Sequence, residues 1–119
     1  MLVSRSIYFG SSPAHRVIHQ GKVSAPDGNY GNGTRVFKSF IYNDGTKDIV
    51  VTLDGAVADQ GYGVDWTNRA SVTVKAGGNA TLSGCIRGTE EHFRLAVQSS
   101  GGESSGRAEI FDESNTFLR

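Results

Sequence analysis

The 119-residue chain has no excess of either charge: twelve Lys and Arg stand against twelve Asp and Glu. Strong electrostatic attraction to nucleic acid or to an anionic membrane is therefore missing, and neither is implied as a partner. Cysteine is almost missing too. Cys85 alone cannot make an intrachain disulfide framework or a multi-cysteine zinc site, and it reads as a small buried hydrophobe. No apolar run approaches the ~20 residues of a membrane span, and the start MLVSRSIYFGSS lacks the apolar core of a signal peptide. Synthesis in a cytosol is the expectation. Nucleotide loops are missing as well, because Gly61-Tyr62-Gly63 has no third glycine at the right spacing and no GK[ST] occurs. There is no long 3.6-residue pattern.

Sixteen glycines, only two prolines and 37% hydrophobic residues describe a turn-rich chain that folds around one core. The stretch Arg35–Leu53 sets the grammar, with two β-rich runs on either side of Asp44-Gly45. Its first run is apolar on both faces, with Val36, Phe40 and Tyr42 on one side and Phe37 and Ile41 on the other. On the return run Ile49, Val51 and Leu53 share one face. A tight hairpin is expected here. A second is expected where Ser71–Ala76, with Val72, Val74 and Ala76 inward, meets Gly77-Gly78-Asn79 and Ala80–Ser83. His92–Ser99 alternates most cleanly, with Phe93, Leu95 and Val97 inward and His92, Arg94, Ala96 and Gln98 outward. Arg107–Phe111 supplies a last strand.

Strands and turns recurring every 8 to 12 residues predict an all-β fold: a single antiparallel β-sandwich, Ig-like or jelly-roll-like, with an extended N-terminal arm. The arm covers residues 1–12, and the sandwich with its short C-terminal tail covers 13–119. Leu2, Val3, Ile7, Tyr8 and Phe9 are costly to leave in water, so the arm either completes its own sheet or docks on a neighbouring subunit. Phe117 and Leu118 make the tail a second docking element.

Asn43-Asp44-Gly45, Val72 to Gly78 and Phe93 to Val97 resemble, in that order, the strand and turn motifs of Ig-like and fibronectin-like β-sandwich modules, without the cysteine pair of true immunoglobulin domains. An apolar arm, a sandwich and an apolar tail together are similar to the head decoration and tail proteins of bacteriophages. That resemblance implies a structural subunit of a virion, made in the host cytoplasm without a signal peptide. Its partners would be other virion structural proteins and copies of itself, assembling through Leu2, Val3, Ile7, Tyr8, Phe9, Phe117, Leu118 and sheet edges.

Chemistry is sparse. Cys85, His92 and Asp65 could form a nucleophilic triad, but no strand-turn-helix elbow surrounds Cys85. His15 and His19 share a face only on a helix; in an extended chain they lie ~13 Å apart, too far to hold one metal ion. Asp27–Gly33 alternates oxygen ligands as a calcium loop does but lacks the distant bidentate Glu. Asn32 and Asn79 sit in formal glycan-acceptor triplets. No catalytic residue, metal or cofactor is assigned. The alternative from another class is a carbohydrate-binding module that uses Tyr30, Tyr62 and Trp66 as stacking platforms, with host-surface glycans as partners.

Overall fold

A computed structural model describes residues 3–23, 34–57, 65–87 and 90–112, which form eight strands. These are β1 (Val3–Ser11), β2 (Arg16–Lys22), β3 (Thr34–Asn43), β4 (Ile49–Val57), β5 (Thr67–Val74), β6 (Asn79–Arg87), β7 (Glu90–Ser99) and β8 (Ser104–Asp112). They make two four-stranded antiparallel sheets, ordered β1-β8-β3-β6 and β2-β7-β4-β5, packed face to face. Apart from β4 and β5, consecutive strands lie in opposite sheets. Eight strands in two such sheets make a jelly roll, the second of the two sandwich types expected, and the Ig-like option is set aside.

Alternation along each strand decides what lies between the sheets. On β3 Phe37 and Ile41 point inward, on β4 Ile49, Val51 and Leu53, on β7 Phe93, Leu95 and Val97, and on β8 Ala108 and Ile110; each is 1% exposed or less. Each large side chain so buried stabilises the fold by roughly 1.5–3 kcal/mol relative to its exposed state. Val74 is also buried and Val72 half-buried, as the alternation predicts, but Ala76 lies in the turn beyond β5 and is exposed.

Neither expected hairpin forms. The Asp44-Gly45 corner carries the chain from β3 in one sheet to β4 in the other, and the Gly77-Gly78 corner carries it back from β5 to β6 in the first sheet. Turn residues specify that a chain reverses, but the packing of distant strands decides whether it reverses within a sheet or between two. Gly45 is needed for closeness rather than for positive φ: a Cβ there would come within 2.8 Å of the Ser105 nitrogen and 2.9 Å of Ser104 Cα. Gly77, at φ 72°, is the corner that does use the left-handed region.

The arm residues 3–11 are β1, paired with β8 over nine consecutive positions from Val3↔Asp112 to Ser11↔Ser104. Of the two roles open to the arm, completing its own sheet is the one observed. Phe9 lies opposite Gly106, where a Cβ would approach its Cζ to 2.9 Å, so the ring lies across the glycine and closes that end of the core.

At another corner, Glu90 is 5% exposed and its carboxylate accepts hydrogen bonds from Arg69 Nε (3.1 and 3.0 Å), Arg69 Nη2 (2.7 Å) and the Arg87 N–H (2.9 Å). Arg35 Nη2 donates to the Glu90 carbonyl at 2.8 Å. The start of β7 is thereby tied to β3, β5 and β6. The hydrogen bonds from Arg69 to Glu90 raise the Arg69 guanidinium above its ordinary value.

Candidate functional site

Register places an unusual surface on the outer face of the β1-β8-β3-β6 sheet. Outward positions align in rows: Tyr8, Arg107, Tyr42 and Asn79, then Ser6, Glu109, Phe40 and Thr81, then Ser4, Phe111, Lys38 and Ser83. Val36 and Cys85 extend the surface by one further pair. Tyr8 is 76% exposed and Val36 63%. Four aromatic rings on one solvent-facing sheet are far from the expectation that outer positions are polar.

Their contacts keep the surface low. The Phe40 and Phe111 rings meet edge to face, with centroids 4.8 Å apart. Arg107 Cζ lies 4.4 Å from the Tyr42 ring centroid, and Arg107 Nη1 is 3.3 Å from Glu109 Oε1. Lys38 Nζ lies 5.6 Å over Phe40. The cations therefore rest along the rings, and the charges on the face are of both signs.

The outer face of the other sheet is mixed, with Val17 and Val50 exposed on it beside a polar row. Gln20, Arg94, Asp54 and Asn68 form one row across all four of its strands. Arg94 Nε donates to Asp54 Oδ2 at 2.8 Å, and Arg94 Cζ lies 4.4 Å from the Trp66 ring centroid. Asn68 Nδ2 lies 3.4 Å from Asp54 Oδ1.

The expected site residues separate. Tyr8 is on the aromatic face, Ile7 packs partly buried against the core, and Phe9, at 7% exposure, belongs to the core and offers no free surface. Val3 opens β1. Leu2, Phe117, Leu118, Tyr30 and Tyr62 lie outside the described residues, as does the Asp27–Gly33 loop. Trp66 is half-buried beside Arg94.

Cys85 and His92 point outward from opposite sheets, so the sandwich stands between them and no Cys-His nucleophile is assembled. His19 packs on the Phe93 ring with centroids 5.3 Å apart, and His15 is exposed in the connection before β2. Among the described residues no three His, Cys, Asp or Glu side chains converge as a metal site would require.

Sequence reasoning noticed that β3 is apolar on both faces but missed the surface this creates. Phe111, Arg107 and Tyr8 join Phe40 and Tyr42 only through β8 pairing with both β1 and β3. No local signal encodes that pairing.

No protein-family model matches the chain, and no curated protein does so significantly. Solved structures do share its fold. A structure titled for Bacillus endospore appendages that form disulfide-linked pili aligns over 93% of this chain and 83% of its own, with TM-score 0.57 and 12% identity. PirA aligns over 89% and 91%, with TM-score 0.56 and 18% identity. The CBM22-1–GH10 modules of Clostridium thermocellum xylanase 10B, solved with xylohexaose, align over 72% of this chain and 18% of that one, with TM-score 0.51 and 14% identity. At these identities the likeness establishes the β-sandwich fold.

Proposed function

We propose that this chain is a non-catalytic structural subunit that assembles with copies of itself by burying the outer face of the β1-β8-β3-β6 sheet. The carrying observation is the aromatic surface on which Tyr8 and Val36 are exposed and Phe40, Tyr42 and Phe111 are half-buried on the outer side. Strands ~4.8 Å apart with outward residues ~6.8 Å apart give a face of about 20 by 25 Å, so covering it on two copies removes on the order of 1,000 Å², the lower bound of a specific interface. Arg107 and Lys38 beside Glu109 let the face meet itself without a single-sign repulsion, and a net charge of zero adds no long-range repulsion between copies. That the same fold occurs in a pilus structure is in keeping with a subunit role.

The setting we propose for the assembly is a bacteriophage particle made in the host cytoplasm, with the termini docking on other virion proteins. Mass spectrometry of purified particles should find the chain; its absence would overturn the setting and leave self-association to be judged separately. Self-association itself is read by analytical ultracentrifugation. The wild-type chain should associate, and Tyr8→Ser combined with Val36→Thr should return it to a monomer with an unchanged circular dichroism spectrum. A wild-type chain that stays monomeric at its highest soluble concentration, or a double variant that associates equally well, refutes the reading.

A further inference from the structure

The polar row on the opposite sheet is built by irregularities in the strands. Ile18 is an extra residue in β2, between Val17↔Ala96 and His19↔Leu95. In a regular strand His19, two residues after Val17, would stand outward opposite Arg94; with Ile18 bulged out, His19 turns onto Phe93 and Gln20 stands opposite Arg94. Arg69 is likewise extra in β5, between Leu53↔Ala70 and Asp54↔Asn68. It turns to Glu90, and Asn68 takes the place opposite Asp54. Glu91 is extra in β7, between Ala56↔His92 and Val57↔Glu90. Three bulges within one end of one sheet, two of which set the register of a single row, mark a surface shaped for what it presents.

The row presents a particular set of donors. Arg94 commits Nε to Asp54 and one face of its guanidinium to Trp66, while Nη1 and Nη2 bond to none of the described residues and the side chain stays 23% exposed. A guanidinium held flat by an aromatic ring and fixed by a carboxylate offers its remaining paired N–H groups in the geometry that a second carboxylate accepts. Lys22 and His92 face each other in the next row, and Asp54 is the one acidic group in the two rows. Gln20, exposed, brings an amide that can donate and accept, and Asn68, whose Nδ2 is turned to Asp54, Ala70 and Ser71, offers its Oδ1 as an acceptor. Trp66, half-buried against Arg94, adds an apolar ring.

We propose that this row is a binding site for a carboxylated saccharide, a chain of uronic-acid type. Its carboxylate lies on Arg94, its hydroxyls bond to Gln20 and Asn68, and a sugar ring packs against Trp66. The site is independent of the assembly face on the other sheet. Of the three aromatics singled out in the sequence, Trp66 is the one described that takes part.

Calorimetric titration of the full chain with oligogalacturonate, beside a neutral cello-oligosaccharide of equal length, tests this. Oligogalacturonate should bind, and added salt should weaken it. Arg94→Lys, which keeps the charge and loses the paired donors, should weaken binding about tenfold. Trp66→Ala and Gln20→Ala should each weaken it about fivefold. Gln20 is exposed on an edge strand and lies outside the Arg94–Asp54 pair, so its variant stays folded and keeps the test decisive if the others do not. Tyr8→Ser should leave the affinity unchanged. No binding of oligogalacturonate, equal binding of the neutral oligosaccharide, or an unaltered affinity in Gln20→Ala overturns the site, whatever the chain's association state.

Discussion

Ser104 Oγ donates to Asn43 Oδ1 at 2.9 Å, joining the first residue of β8 to the last residue of β3, 61 positions apart. Asn43 is 1% exposed and uses its whole amide: Oδ1 also accepts the Gly45 N–H at 3.0 Å, and Nδ2 donates to the carbonyls of Lys47 at 2.7 Å and Val74 at 3.0 Å. One side chain thus fastens the β3–β4 corner to the end of β5 and the start of β8. Asn43→Ala should cost about 2–4 kcal/mol in urea unfolding, because four partners lose their bond, two of them in buried hydrogen bonds. Asn43→Asp, isosteric but without the two donors, should cost a similar amount, and a loss under about 1 kcal/mol in either variant would show the hub to be dispensable.

Gly45→Ala forces a Cβ against the backbone of β8, within 2.8 Å of the Ser105 nitrogen. Gly55→Ala forces one to 2.8 Å from Glu90 Oε1, which Arg69 and the Arg87 N–H hold in place. Both should destabilise by about 1–3 kcal/mol, the range of overpacked sites. Differential scanning calorimetry on the two variants would check this, and an unchanged Tm in either would show that its close approach relaxes freely.

Asp48 predicts the acid limb of stability. Its Oδ1 accepts the Ala76 N–H at 2.9 Å and its Oδ2 lies 3.2 Å from Lys75 Nζ, and these two bonds, the backbone one first, hold its pKa below the ordinary 3.8. A lowered folded pKa means that the unfolded chain takes up the proton first as pH falls. The contribution is therefore fully present above 3.8 and is lost as pH drops through that value toward the folded one. Urea midpoints of wild type and Asp48→Asn should differ most near neutral pH and converge below 3.8; parallel curves at every pH would contradict the linkage. The group is exposed, so the separation is small and shrinks with salt.

Neighbouring residues of β1 should answer differently to truncation. Phe9→Ala should cost about 2–4 kcal/mol and speed hydrogen exchange of the β1 amides, because Phe9 is the strand's large, fully inserted side chain. Tyr8→Ser should change stability by less than about 0.5 kcal/mol. Equal losses in the two variants would mean that β1 is not anchored as described.

The legible part of the fold was whatever a period of two can carry. Ile49, Val51 and Leu53, and Phe93, Leu95 and Val97, stand buried as their spacing demands. The crossing corners were illegible because Asp44-Gly45 and Gly77-Gly78 signal reversal in either setting, while the sheet a strand joins depends on partners far along the chain. Both candidate surfaces follow from that pairing. Tyr8 gains meaning only beside Arg107, and Gln20 faces Arg94 only because Ile18 is bulged out. Trp66 could be singled out as an aromatic, but not its guanidinium partner 28 positions on.

The alternation of strands between sheets also sets a timetable. During synthesis β1 leaves the ribosome before the other strands described, yet its partner in the sheet is β8, the last of them, and β2 waits similarly for β7. Only β4 and β5 pair as neighbours in sequence. Pairings between strands far apart in sequence dominate the sheets, which puts folding in the slow regime of distant contacts, on the order of milliseconds to seconds. Until β8 emerges, the edge it will offer does not exist and the apolar residues of β1 have no home. A chaperone that shields this nine-residue strand during synthesis should therefore raise the folded yield.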